Sequence, residues 1–166
     1  MAEKTMKHPC ITVAVIMVRL TLNNQWRSEQ WEAKGIIPDI SGGNKESRVI
    51  FEDSQQKQVL FPGFDVTLYR DEAEGYYLNL SSPKPKVFVT WRFQEDLAVP
   101  YIVTVSYNEA ARWMDSNEHV DGVPMPPDIA DWLGNYVNQN YKPEPKKRQY
   151  PQSFVSPERR AGKGTC

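Results

Sequence analysis

The sequence predicts an α+β fold: a mostly antiparallel sheet or partly open barrel of about six strands, then two C-terminal helices and a disordered basic tail. Three observations predict it. Apolar residues recur with a period of two through the first two thirds of the chain, and with a period of 3.6 beyond Ser106. Most segments between the strand-like runs are short, which favours antiparallel neighbours. The stretch after Tyr141 is rich in proline and basic residues and poor in apolar ones, the composition of an extended segment without a core. The expected organisation is a flexible N-terminus over 1–9, one domain over 10–141 and the basic tail over 142–166.

Ile11 to Leu20 is rich in Val and Ile and apolar on both faces, as in a central strand. From Trp26 to Ile37 the residues alternate, with Trp31, Ala33, Gly35 and Ile37 on one face. Pro38 to Gln58 is polar and reads as a long loop or ragged hairpin. Val59 to Tyr69 resumes the alternation with Phe64, Val66 and Leu68, and Pro62-Gly63 within it marks a late start, an edge or a bulge. Arg70 to Gly75 reads as a turn whose acids, Asp71, Glu72 and Glu74, form a solvated hairpin tip. Tyr76, Leu78 and Leu80 then alternate with Tyr77 and Asn79. Val87, Val89, Trp91 and Phe93 make the cleanest strand face, and Tyr101 to Val105 a further short strand.

Ser106-Tyr107-Asn108-Glu109 has the form of a capping box, in which the Ser hydroxyl accepts from the Glu amide and the carboxylate reaches back. Tyr107, Ala110, Ala111 and Met114 share one stripe of the helix it opens, and Asp115-Ser116-Asn117 ends it. A second helix starts near Pro126-Pro127-Asp128, since proline is tolerated and acids are favoured in a first turn. Its apolar face is Ile129, Trp132, Leu133, Tyr136 and Val137, and Pro143 stops it.

The formal charge of −1 is unevenly placed. Residues 142–166 carry seven basic against two acidic side chains, net +5, which leaves −6 on the rest. A basic tail on an acidic body fits contact with an anionic partner, or folding of the tail onto the body. Nucleic acid is disfavoured as that partner, because the acidic body repels phosphates. The longest apolar run, Ile11 to Val18, is far shorter than the roughly 20 residues of a membrane span, and no small-x-small cleavage pattern follows it. Two cysteines, Cys10 and Cys166, are too few for a disulfide framework or a cysteine-rich metal site. The expectation is a soluble cytoplasmic protein that meets no membrane and carries no cofactor.

Candidate chemistry is sparse. Cys10 precedes a strand and His8 lies in the N-terminal stretch, so a positioned Cys–His pair is not expected. Asp115, Glu118, His119 and Asp121 bear metal-ligating groups, but their spacing fits a plain loop better than a cage. Ser41-Gly42-Gly43-Asn44-Lys45 has the composition of an anion nest without the strand–loop–helix setting that aims amides at a phosphate. Trp31, Trp91, Trp113 and Trp132 fall on or near apolar faces. A chain of this kind is expected to bind a partner rather than to catalyse.

Three runs carry a resemblance: Tyr77-Leu78-Asn79-Leu80-Ser81-Ser82, Val103-Thr104-Val105-Ser106, and above all Asp121-Gly122-Val123-Pro124-Met125-Pro126-Pro127. With Ile129-Ala130-Asp131-Trp132, Tyr141 and Pro143 to Arg148 they resemble a bacterial domain family of unknown function, over residues 10–148. Members tend to be encoded beside molybdenum-dependent formate dehydrogenase genes, and some are named molybdopterin-guanine dinucleotide biosynthesis protein. The resemblance implies a non-catalytic accessory role in maturation or assembly of that dehydrogenase, with a dehydrogenase subunit or maturation factor as partner. The partner-binding residues expected on that view are Met125, Pro126, Pro127, Trp132 and Tyr136 of the helical unit and Lys146, Lys147 and Arg148 of the tail. Two other readings are carried: nucleotidyl transfer on the pterin cofactor by the 41–45 loop, and nucleic-acid binding through the tail. A Rossmann-like nucleotidyltransferase would have a glycine-rich loop after its first strand, where this chain has Val18-Arg19-Leu20-Thr21-Leu22.

Overall fold

The computed structural model of the chain describes residues 8–22, 28–39 and 41–142. They form seven strands in two antiparallel sheets and three α-helices, with no closed barrel. The tail beyond Lys142, with Lys146, Lys147 and Arg148, lies outside the described residues, as does most of the N-terminal stretch.

The first sheet has the order β2-β1-β4-β3. Strand β1 (Cys10–Thr21) is flanked on both sides, as its two apolar faces require. Val13, Val15 and Met17 point into the core, while Ala14 and Val18 are buried on the other face. Strand β2 (Glu29–Pro38) departs from simple alternation. Its register with β1 slips at Lys34, so Ile36 joins Trp31 in the core and Ile37 turns outward. Strand β4 (Gln56–Thr67) carries the bulge that Pro62-Gly63 announces, with Gly63 at φ 88°. The polar 38–58 stretch holds more order than a loop: strand β3 (Arg48–Glu52) pairs with β4 as a ragged hairpin, with a register slip at Ile50.

The second sheet has the order β6-β5-β7. Its centre is β5 (Lys86–Gln94), with Val87, Val89 and Trp91 buried and Phe93 exposed beyond the sheet contact. Strand β6 (Leu97–Thr104) begins four residues before Tyr101, tied in by the buried Ala98, and tolerates Pro100 as an edge strand. Strand β7 (His119–Pro124) occupies what the sequence presents as an inter-helix loop. Only Val123 of its six residues is buried, so no alternation betrays it.

Tyr76 to Leu80 is helix, not strand. Helix α1 (Ala73–Leu80) buries Ala73, Tyr76 and Asn79, three apart, and leaves Leu78 41% exposed. Alternation would have buried Leu78 with Tyr76. The turn before it is a 3-10 turn, Arg70–Glu72, leading into α1, so its acids lie at a helix start rather than a hairpin tip. Helix α2 (Tyr107–Asp115) opens on Ser106, whose hydroxyl accepts from the Glu109 amide at 3.2 Å. The reciprocal half of the box is absent: the Ser106 amide donates to Thr104 Oγ1. The expected stripe is also rotated, since Ala110 is buried while Tyr107 and Met114 are exposed. Helix α3 (Pro127–Asn140) starts where expected and buries Ile129, Leu133 and Val137, with Trp132 and Tyr136 half-buried on its flank. α1 lies between α2 and α3, and the inner faces of both sheets share one core with α1 and α3.

Candidate functional site

Tyr136 lines an open cleft of about 650 Å³ at the C-terminal end of α3. Its other walls are His8, Pro9, Tyr69, Arg70, Asp71, Gln139 and Asn140. The His8 ring lies 4.7 Å from that of Tyr69, and Tyr136 meets the edge of Tyr76 at 5.9 Å. The Tyr76 hydroxyl accepts from the Tyr69 amide at 3.0 Å, which fixes the chain where β4 turns into the helical unit. Burial pushes the Tyr76 hydroxyl far above the usual tyrosine range, and burial also raises Tyr136. Tyr76 lies beneath the cleft, whose own lining offers the aromatic faces of Tyr69 and Tyr136 with the charged side chains of Arg70 and Asp71. Trp132 sits one helical turn before Tyr136. Met125, Pro126 and Pro127 do not join them. They lie at the opposite end of α3, about 20 Å away along a helix of 14 residues, with the Met125 amide bound to the Pro85 carbonyl. The expected docking residues therefore divide between two ends of one helix.

The chain matches, over residues 12–150, the family described as Protein of unknown function (DUF3305). It belongs to that family. No curated protein and no solved structure matches it.

Within the DUF3305 match, the polar members of the three motif runs lock elements together. Asn79, 2% exposed, donates through Nδ2 to the carbonyls of Lys86 and Val105 and accepts from the Lys86 amide. It ties α1 to the start of β5 and the end of β6. Asp121 Oδ2 accepts from the Ala33 amide at 2.9 Å and from Trp91 Nε1 at 2.8 Å, so one carboxylate bridges both sheets. Ser106 caps α2 and donates to Glu72 Oε2 at 2.6 Å, while Arg112 pairs with the other Glu72 oxygen. Glu72, read as part of a solvated tip, is thus the acceptor that joins the start of α1 to α2.

Glu109, freed from the capping role, sits beside this pair. Burial raises its carboxyl above the ordinary value, and the neighbouring Glu72 charge adds to the shift. A carboxyl raised in the folded state contributes stability below its unfolded value that is lost as pH rises through the folded one. Glu109→Gln is therefore expected to melt at a higher temperature than the wild type at neutral pH and at the same temperature below pH 4.5. Thermal melts at both pH values check this.

The Ser41 amide donates to Asp39 Oδ1 at 2.8 Å, and the Gly63 amide to Asp39 Oδ2 at 2.9 Å. Hydrogen bonds from Ser41 hold Asp39 below the usual carboxylate range, so a negative charge fills the amides that a phosphate would seek there. Of the metal-type residues, Glu118 pairs with Arg92 at 2.7 Å and Asp121 bridges the sheets, while His119 stacks on Trp91 at 4.2 Å. Among the described residues no group of three His, Cys, Asp or Glu side chains is arranged to hold a metal ion. Among the described residues no helix is long and apolar enough to cross a membrane. The 650 Å³ cleft was hidden from sequence reading because His8, Tyr69 and Tyr136 are far apart in the chain; only Tyr136 stood out, as part of an apolar helical face.

Proposed function

We propose that the protein is a non-catalytic accessory protein that acts by protein–protein contact in the maturation or assembly of a molybdenum-dependent formate dehydrogenase. The mode of action is carried by one observation: an open, aromatic-lined cleft at the C-terminal end of α3. Aromatic side chains in a concavity anchor protein partners well, because they bury large area at small entropic cost. The commitment of the motif polar groups to bonds between elements supports the same reading. The choice of formate dehydrogenase rests on the resemblance carried by the motif runs. In this reading the aromatic cleft seats the partner and the basic residues of the tail add a charge contact with an acidic surface.

The test is capture from native cells with the tagged full chain, at low and high salt, with mass spectrometry of what is retained. A dehydrogenase subunit or maturation factor is expected, with recovery lost at high salt and in the charge-reversed variant Lys146→Glu/Lys147→Glu/Arg148→Glu. Tyr69→Ala, which leaves the Tyr69 amide bond in place, is expected to cut recovery about tenfold. A partner-free eluate that carries a bound nucleotide would overturn the proposal in favour of nucleotidyl transfer.

A further inference from the structure

Strand β3 is an edge: one side pairs with β4 and the other pairs with nothing among the described residues. All five of its residues are exposed, with Val49 at 49%, Ile50 at 44% and Phe51 at 45%. The unpaired amides and carbonyls of such an edge template a further strand, and soluble proteins usually blunt them with charges or proline. This edge presents three consecutive apolar side chains. Its charges stand at the ends and have opposite signs. Arg48 opens the strand, and Glu52 closes it with Asp53 directly after.

A strand with that polarity complements itself. Run antiparallel to a second copy across a two-fold axis, it brings the basic end of each copy to the acidic end of the other. Run parallel, it would set Arg48 against Arg48. We propose that β3 is the contact between two copies of this chain, paired edge to edge and antiparallel, so that their four-stranded sheets become continuous. Arg48 of each copy lies at the Glu52–Asp53 end of the other, and Val49, Ile50 and Phe51 of both copies cover one another between. The register slip at Ile50 leaves β3 with one residue more than the β4 segment it pairs. Such a bulge interrupts the ladder at one step and confines the contact to a short strand. The dimer is therefore reversible and concentration-dependent. This contact lies apart from the α3 cleft and stands independently of the function proposed for it.

Sedimentation velocity on the full chain over a concentration series tests it, with circular dichroism to confirm that each variant folds. The wild type is expected to rise from 19.1 kDa toward twice that mass as concentration increases. Arg48→Glu and Glu52→Arg, each examined alone, are expected to weaken dimerisation about tenfold, because two-fold symmetry places the altered contact at both ends. An equimolar mixture of the two variants is expected to regain dimer, since each altered end then meets an opposite charge. A wild type that stays monomeric throughout would overturn the proposal. So would a dimer indifferent to both reversals, or a mixture no stronger than its components.

Discussion

Asn79→Ala is expected to lower the unfolding free energy by about 3 kcal/mol, and the melting temperature by about 10 °C. The side chain is almost wholly buried and makes three hydrogen bonds, at 2.7, 2.8 and 3.0 Å, to the backbone of Lys86 and Val105. Alanine removes the amide and leaves a backbone N–H and two carbonyls without partners, the Val105 carbonyl buried and the Lys86 groups partly so. Each net hydrogen bond contributes about 1 kcal/mol, and an abandoned buried group costs at least as much. Asn79→Asp keeps the volume and the acceptor but loses both donors, so its loss should come close to that of alanine. Urea or thermal unfolding of both variants checks this. A variant within 1 kcal/mol of wild type would mean that α1 is not held by Asn79; that threshold is about the size of one ordinary hydrogen bond.

Gly75→Ala is expected to destabilise by about 2–3 kcal/mol, where the same change in an ordinary helix interior stabilises by about 1 kcal/mol. The sign reversal has a geometric cause. A Cβ at position 75 would lie 2.2 Å from Ser106 Oγ and 3.3 Å from the Asn108 amide nitrogen. The hydroxyl cannot swing aside without giving up the α2 cap and its bond to Glu72. Ser106→Ala removes the obstructing oxygen at the cost of the cap, about 1 kcal/mol. In the double variant the alanine at 75 should then add little to the cost of Ser106→Ala alone. A double-mutant cycle reads that coupling, and additive losses would show that the clash lies elsewhere.

Where burial imposed a regular apolar pattern, the sequence was legible. β1 shows a central strand because both of its faces are buried, and α3 shows its start and its buried line because proline and an amphipathic stripe agree. α1 was hidden because an eight-residue helix spans little more than two turns, and Tyr76, Leu78 and Leu80 satisfy a period of two as well. What decides the matter is Asn79, a polar residue buried by partners that come from β5 and β6. β7 was hidden for a related reason: it is held by its backbone pairing to β5 and by Asp121, not by a row of apolar side chains. The inward face of β2 switches at the bulge at Lys34, beside Gly35, so residues that share a face before it do not share one after it. The site was legible only through Tyr136, since a cleft assembled from His8, Tyr69 and α3 depends on tertiary contacts. The acids at 71 to 74 misled because solvated tips and helix starts share a composition.

The bridge made by Asp121 bears on how this molecule comes apart. The Ala33 amide belongs to the first sheet and the Trp91 indole to the second, and both give their hydrogen to the same oxygen. When the first sheet loosens from the second, the Ala33 amide loses its acceptor, while the Trp91 indole keeps Asp121 within its own sheet. Partial opening thus costs the first sheet a backbone hydrogen bond, which couples its hydrogen exchange and unfolding to those of the second.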